Sequence, residues 1–342
     1  MGITIKQIAE IAGVSRGTVD RAINNRGGVN KEVADKIMSI AEEMRYVPNV
    51  AGRALSLQNK YKKIVVIIHS VENEFFELIH HGLRKAKHEI SNLGFRVVIK
   101  EFTGFDVKNQ LKLLDKARDD GADYIAVMPI NAPEIADKLT EFIESGIEIL
   151  TINNDIDVPN RLAYVGCDYR KSGQTAAGLF GLITGGRANV GIITGSRSID
   201  GHNNRIRGFS EITRREFPGV HIVDTVENQD NDALSYDVVK ALLAEHKEID
   251  SLLFSAAGTK GGIKAVCDLS LSGKIKIITF DMTPAVKAYI ERDIVSATIC
   301  QQPLEQGYNA IKVFYDYAIR NKKPNDPMLH TQIEIYLKYN IN

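Results

Sequence analysis

A short polar segment near the N-terminus, GVSRGTVDRAINN at residues 13–25, carries side chains that suit nucleic-acid binding. It holds two arginines, an aspartate and two asparagines, and only Val14, Val19, Ala22 and Ile23 can pack it against a core. Arginine and asparagine side chains donate hydrogen bonds to phosphate oxygens and to base edges. We therefore expect the exposed face of a helix here to meet a nucleic acid.

Polar and aromatic residues also follow several apolar runs in the rest of the chain. In a doubly wound sheet, ligands bind beyond the carboxyl ends of the parallel strands. We therefore expect the segments that follow the apolar runs to converge on one binding cleft. They are ENEFF at 72–76, NND at 153–155, TGSRSIDGHNNR at 194–205, DMT at 281–283 and QQP at 301–303.

Catalytic and metal-binding patterns are weak in this sequence. It contains no GxGxxG segment after a strand, no GxxxxGK phosphate loop ending in Ser or Thr, and no GxSxG nucleophile turn after a strand. Ser196, Asp200 and His202 are close together, but a polar loop often holds such residues. The three cysteines are far apart and lack the spacing of metal ligands. We expect no cofactor and no metal site, and an α/β enzyme is the less favoured alternative.

The N-terminal segment has the signals of three short helices. Thr4 followed by Gln7 is a capping-box pattern, and Ser15 and Asn30 can cap the second and third helices. The first two helices are joined by the short turn AGVS, as in a helix-turn-helix. In that motif the second helix lies in the major groove of DNA, which accounts for the polarity of residues 13–25.

From Lys63 onward, apolar strands alternate with amphipathic helices in two successive series. Such alternation predicts parallel sheets that are covered by helices on both faces. The predicted fold class is α/β, with a small all-α helix-turn-helix head followed by two doubly wound parallel-sheet lobes.

The composition is that of a folded globular protein. Of the 342 residues, 44% are apolar and 25% are charged, and no apolar run approaches the roughly 18 residues of a membrane span. The N-terminus shows no secretory signal, so we expect a cytoplasmic protein without a membrane partner. Residues 1–63 hold eleven Lys or Arg against six Asp or Glu, whereas the rest of the chain holds thirty-two against thirty-seven. A basic head on an acidic body is typical of a polyanion-binding segment.

Over essentially its full length the sequence resembles the LacI/GalR family of bacterial transcriptional regulators. The head TIKQIAEIAGVSRGTVDRAINN, the end of the third helix at MRYVPN and the segment RALS resemble the family's helix-turn-helix and hinge. The resemblance implies base reading at positions 16, 17 and 21 and insertion of an apolar side chain at position 55 into the minor groove. The DNA-binding residues that it implies are Thr4, Ser15, Arg16, Gly17, Thr18, Arg21, Asn24, Asn49 and Leu55.

Three head and hinge residues depart from the family pattern. Asp20 stands where a serine is common, and Gly17 removes a reading side chain. Gly52 lies in the hinge helix, where glycine costs about 1 kcal/mol relative to alanine. The departures leave open the operator sequence and the stability of the hinge helix.

The remainder of the chain resembles the family's effector core, which shares the type I fold of periplasmic sugar-binding proteins. The segments NEFF, TINN, RIRGF, TFD and TICQQP carry the likeness. It implies an effector site made of Asn73, Phe75, Phe76, Asn153, Asn154, Arg205, Asp281 and Gln301. The two phenylalanines suit core packing equally well. TINN replaces the usual Asp-Arg pair, and Ala257 replaces a usual asparagine. The effector we expect is a sugar or polyol of unspecified identity.

The predicted domains are a DNA-binding head at 1–48, a hinge helix or linker at 49–62 and a core at 63–342 that binds the effector and forms the dimer. The core is predicted to divide into two lobes. The predicted limits are about 63–160 plus 292–322 for the first lobe, and about 161–291 plus 323–342 for the second.

The implied function is that of a homodimeric transcriptional regulator, most often a repressor in this family. It would bind a near-palindromic operator in double-stranded DNA under the control of a small sugar-like effector. A cytoplasmic solute-binding or sensor protein with no operator role is the main alternative, ahead of an α/β enzyme.

Overall fold

The computed structural model describes residues 3–23, 27–44, 46, 61–70, 74–104, 106–197, 199–320 and 323–341. The predicted hinge at 49–62 therefore lies almost wholly outside the described residues. Among the described helices, none combines the length and the apolarity needed to cross a membrane.

The head is a three-helix unit with its own apolar core. Its helices are α1 (Ile5–Ala12), α2 (Arg16–Ile23) and α3 (Lys31–Glu43). Thr4 caps α1 through the predicted box with Gln7, and Asn30 caps α3 by accepting a hydrogen bond from the Glu32 main-chain N–H. The buried core consists of Ile8, Ala9, Ala12, Val19 and Ile37. Because α2 buries only Val19, most of its surface is available to a partner.

The first lobe is a six-stranded parallel sheet with helices on both faces. Its strands are β1 (Lys62–Ser70), β2 (Phe95–Thr103), β3 (Tyr124–Val127), β4 (Glu148–Ile152), β5 (Ala163–Gly166) and β11 (Met328–His330). They lie in the order β11-β5-β4-β3-β1-β2. Its helices are α4 (Glu74–Ile90), α5 (Val107–Asp119), α6 (Pro133–Glu144) and α12 (Pro303–Arg320). Helices α4 and α12 cover one core of the sheet, and α5 and α6 cover the other.

The second lobe repeats this plan. Its strands are β6 (Arg187–Thr194), β7 (Gly219–Glu227), β8 (Ser251–Phe254), β9 (Lys276–Phe280), β10 (Ala297–Cys300) and β12 (Glu334–Tyr336). They lie in the order β12-β10-β9-β8-β6-β7, and only β12 runs antiparallel to its neighbour. Its helices are α7 (Tyr169–Thr184), α8 (Asp200–Glu216), α9 (Asp232–Glu245), α10 (Thr259–Asp268) and α11 (Pro284–Glu291). The two α/β lobes confirm the predicted fold class.

The predicted lobe limits are wrong in three strands. Strands β5 and β11 belong to the first sheet, although 161–291 and 323–342 were expected in the second lobe. Strand β10 belongs to the second sheet, although 292–322 was expected in the first. The error has a physical cause, because alternating apolar runs reveal strands but not the sheet that each strand joins. The chain therefore crosses between lobes three times, after β5, after β10 and between β11 and β12.

Candidate functional site

Helix α2 presents the predicted DNA-binding residues on its open side. Ser15 caps the helix, since its Oγ accepts a hydrogen bond from the Thr18 main-chain N–H at 3.1 Å. The side chains of Arg16 and Arg21 are exposed, and Gly17 lies between them on the surface. Arg21 Nε donates to the Gly17 carbonyl oxygen at 3.2 Å, so its guanidinium lies back along the helix.

Four predicted DNA-binding residues need separate mention. Thr4 is exposed and engaged in the α1 cap. Asn24, Asn49 and Leu55 lie outside the described residues, and so does Asn73 of the predicted effector site.

A cleft of about 820 Å³ lies between the two lobes and brings together seven of the eight predicted effector residues. Those from the first lobe are Phe75, Phe76, Asn153 and Asn154, and those from the second are Arg205, Asp281 and Gln301. A second hollow of about 1120 Å³ adjoins it and shares Asn154 and Tyr169 in its lining. The strand-end segments thus converge as the sequence predicts.

Arg205 is the most buried charge in the cleft, with 3% of its surface exposed. Its Nη1 donates to the Ser255 carbonyl oxygen at 2.7 Å, and its guanidinium lies 3.9 Å from the centre of the Phe280 ring. Its Nε and Nη2 have no hydrogen-bond partner within the part of the chain that the structure describes. Buried donors are costly when unpaired, so these two nitrogens point to an acceptor on a ligand.

A close helix crossing holds Arg205 in place. An added Cβ at Gly173 of α7 would lie 1.9 Å from the Arg205 carbonyl oxygen on α8. Only glycine permits this approach of the two backbones, so α8 is seated directly against α7. The side chain of Arg205 therefore projects from a rigid base.

Asp281 and Asn153 both have left-handed backbones, with φ of 65° and 61°. Gln301 Nε2 donates to the Asp281 carboxylate at 3.0 and 3.2 Å. Burial raises the pKa of the Asp281 carboxyl, while the nearby Arg205 charge and the Gln301 amide oppose that rise. Non-glycine residues rarely adopt this backbone region, and such strain is concentrated at functional sites.

Phe75 and Phe76 belong both to the core of the first lobe and to the lining of the cleft. Their ring centres lie 5.5 Å apart in an edge-on arrangement, and both rings pack against the core of the first lobe. Both also line the cleft. They therefore present an apolar wall suited to the face of a sugar ring.

Several residues that line the cleft were not among the predicted effector-binding residues. They are His69, Tyr169, His202, Asp230 and Phe280. Burial lowers the pKa of His69 and His202 to about 4, so both imidazoles are neutral at pH 7. The segment NQDN follows β7 directly, so the strand-end rule applied to that strand would have found Asp230.

Ser196, Asp200 and His202 lie close together in the structure as well, and each has a contact outside a serine–histidine–aspartate chain. The Ser196 main-chain N–H donates to His202 Nδ1 at 3.4 Å. Asp200 Oδ2 instead accepts a hydrogen bond from Asn131 Nδ2 of the first lobe at 2.7 Å. No group of three or more His, Cys, Asp or Glu side chains in the described ranges is placed to hold a metal ion.

Two family models match this chain. Residues 4–49 match the bacterial regulatory proteins of the lacI family, and residues 64–323 match a periplasmic binding protein domain. The first match covers the three-helix head, and the second covers most of the two lobes.

Characterised proteins resemble the chain at low identity over most of its length. The HTH-type transcriptional regulator DegA of Bacillus subtilis is 28% identical over 82% of this chain and 84% of its own. The HTH-type transcriptional repressor PurR of Haemophilus influenzae is 26% identical over 92% and 90%. A crystal structure of GanP, a glucose-galactose binding protein from Geobacillus stearothermophilus, has a TM-score of 0.74 and 25% identity, covering 82% of this chain and 99% of that one.

Proposed function

Because this chain belongs to the periplasmic binding protein domain family and carries the DNA-binding head of the lacI family, we propose that it is a sugar-responsive transcriptional repressor. Its head binds operator DNA, and its two lobes bind a small polyol in the cleft between them. The names of its relatives, which include transcriptional regulators and repressors, support the regulatory role.

The observation that carries the proposal is the convergence of both lobes on one cleft in a chain that also carries a lacI-family head. Phe75 and Phe76 supply an apolar wall from the first lobe, while Arg205 and Asp281 supply a donor and an acceptor from the second. Adjacent hydroxyl groups of a sugar both donate and accept hydrogen bonds, so they suit this pair. The name of GanP, a glucose-galactose binding protein, supports the same ligand class.

Ligand binding is coupled to DNA binding through movement of the lobes. An effector that contacts both walls favours the closed arrangement, because only that arrangement forms all of its contacts. In a homodimer, a change in lobe orientation would alter the spacing of the two heads on a near-palindromic operator. The coupling free energy is then the difference between effector affinities in the two states.

We further propose that the protein works as a homodimer in the cytoplasm and by binding rather than catalysis. A solute-binding protein of the same fold is the competing function. The lacI-family match at residues 4–49 favours the regulator, since the periplasmic binding protein match at 64–323 leaves that segment unused.

The test uses the full chain in a thermal-shift screen of sugars and polyols, followed by gel shifts with DNA sites selected from random sequence. A ligand at 100 times its dissociation constant adds about 2.7 kcal/mol of stability. We expect one sugar to raise the melting temperature and to change operator affinity. If the chain selects no DNA sequence, the regulatory function is wrong. If it selects DNA but no polyol stabilises it, the sugar effector is wrong.

A further inference from the structure

The cleft lining holds more acidic than basic side chains, and a neutral sugar has no charge that such an excess would attract. Its lining includes four acids, Glu77, Asp230, Asp232 and Asp281, against two bases, Arg205 and Lys260. The two histidines of the lining, His69 and His202, are neutral at pH 7 because burial lowers the pKa of each to about 4. A cleft lined by an excess of one charge attracts ligands of the opposite charge.

The second hollow of the cleft has the same bias. Its charged lining residues are Asp155, Asp157, Asp168, Asp200, Arg161 and Arg170. Asp155 pairs with Arg161 at 2.7 Å, whereas Arg170 pairs with Glu211 outside the lining. The bases of this hollow are therefore already engaged, and the acidic excess extends along the cleft.

Of the cleft acids, Glu77 and Asp232 are exposed, whereas Asp230 is partly buried and has no cationic partner among the described Lys and Arg side chains. Asp281 lies close enough to Arg205 for that charge to lower its pKa. Asp230 forms no ion pair with any Lys or Arg in the described part of the chain, and its Oδ1 accepts one hydrogen bond, from the Ala257 main-chain N–H at 2.9 Å. His202 lies near both Asp230 and Arg205, and it remains neutral at pH 7.

The protein holds the Asp230 carboxylate at a fixed position. Its main-chain N–H donates to Asn228 Oδ1 at 3.0 Å, and its φ of 56° places it in the left-handed region. An added Cβ at Gly195 would lie 2.6 Å from both carboxylate oxygens and 2.6 Å from His202 Cε1. The carboxylate and the imidazole therefore rest directly on the Gly195 backbone, where no other residue would leave them room.

We propose that the effector is an amino sugar or another polyol with a protonated amine, and that Asp230 is the residue that selects the amine. This inference rests on the proposed function of the cleft. A carboxylate enclosed on lobe closure loses its water, and a cation from the ligand offsets that loss. The unpaired nitrogens of buried Arg205 mark the same cleft as a ligand site, and they take the hydroxyl oxygens of the ligand.

The test compares matched sugars on the full chain by calorimetry. The probes are D-glucosamine, D-galactosamine, D-mannosamine and 3-amino-3-deoxy-D-glucose, each beside its neutral parent and its N-acetyl derivative. The N-acetyl compound keeps a donor but loses the charge, so it separates an ammonium from a neutral N–H. We expect at least one amine to bind about tenfold or more tightly than both uncharged forms.

Asp230→Asn tests the residue itself. Asparagine keeps the acceptor for the Ala257 N–H, so the loop should hold its shape while the charge is removed. We expect this variant to lose about tenfold or more in affinity for the amine, with little change for the neutral parent. Asp237→Asn, an exposed change on α9 outside the cleft lining, is the matched control and should leave both affinities unchanged.

The outcomes separate this inference from the proposed function. If neutral sugars bind as tightly as their amines, or if Asp230→Asn lowers the affinity for amine and neutral sugars equally, the proposal that Asp230 selects an amine is wrong. The proposed sugar site is then unaffected. If none of the compounds binds, the proposal of a sugar effector and the proposal of amine selection are both wrong.

Discussion

Gln306 joins the two lobes at the inter-lobe hinge, here the crossover segment after β10, by donating from Nε2 to the Gln301 carbonyl oxygen at 3.0 Å. Gln306 lies on α12 of the first lobe and is fully buried, while Gln301 follows β10 of the second. Gln306 Oε1 accepts from Asn153 Nδ2 at 3.0 Å, and Gln301 Nε2 donates to Asp281. One buried amide thus connects Asn153 on one wall of the cleft with Asp281 on the other.

The first prediction concerns this connection. Gln306→Met keeps the side-chain length but removes the amide that accepts from Asn153 Nδ2 and donates to the Gln301 carbonyl oxygen, which still accepts from Thr331 Oγ1 at 2.8 Å. We expect a loss of about 1–3 kcal/mol in the free energy of unfolding, because two buried hydrogen bonds are lost. Effector should also alter DNA affinity less than in the native protein. Urea unfolding and gel shifts measure these quantities.

The control is Gln332→Met on an exposed side chain beside the hinge, which should change neither quantity. Equal stability of Gln306→Met and the native protein would show that the amide network does not hold the hinge.

The second prediction concerns effector affinity. Asp281→Ala removes the acceptor near Arg205 and leaves Gln301 Nε2 unpaired, so it should cost about 1–3 kcal/mol or more in ligand binding. Arg205→Ala should weaken binding as well, since it removes the two open donors. Calorimetry with the screened sugar measures both variants. DNA binding without effector should survive. Unchanged affinity for the sugar in both variants would show that the effector binds elsewhere.

The third prediction concerns base reading in the head. Arg21→Ala should relax sequence preference and cost about 1–3 kcal/mol per half-site, because a bidentate contact to guanine is lost. Lys6→Ala on α1 should at most lower affinity evenly across sequences. Selection from random DNA followed by titration distinguishes the two effects. The same selected motif from the native protein and from Arg21→Ala would exclude position 21 as a reader.

The fourth prediction concerns Gly17. An added Cβ there would meet only Ser15 Oγ, at 3.7 Å, so the fold of the head does not require glycine. Gly17→Ala should stabilise α2 by about 0.5–1 kcal/mol, through a lower entropic cost of forming the helix. Hydrogen exchange of the head amides measures this gain. Lower protection in the variant would mean that glycine has a structural role.

The same variant should bind the operator less tightly. The added methyl group stands on the exposed face of α2, where the base edges are proposed to approach. Tighter or equal binding by Gly17→Ala would indicate that DNA does not come close to this position.

The fifth prediction concerns pH. Burial lowers the pKa of His69 from 6.5 to about 4, so the unfolded chain takes up a proton at a higher pH than the native chain. This linkage should leave stability unaffected near pH 7 and lower it between about pH 6.5 and 4, with His69 contributing up to ~3 kcal/mol of the loss. Urea unfolding at pH 7 and pH 5 measures this loss. His69→Gln should reduce the slope, and an identical slope would exclude His69 as its source.

The strand-end rule predicted segments that line the cleft, and the family resemblance implied the candidate residues within them. Arg205, Asp281 and Gln301 all lie near the carboxyl ends of strands of one sheet, and parallel strands bring those ends together. Gln306 was not found in this way, because it lies inside α12 beyond the segment QQP and is recognisable only by its burial. Strands β5, β10 and β11 were misassigned for a related reason, since a crossover leaves no signature in local hydrophobicity.

Three connecting segments tether the two lobes. They follow β5, follow β10 and join β11 to β12. A body held by three tethers at one edge can swing about that edge but cannot slide or spin freely. The motion that remains to the lobes is therefore a rotation about that edge, which opens and closes the cleft. A protease that cuts one tether would leave the lobes covalently joined by the other two, so the nicked protein should still close on its ligand.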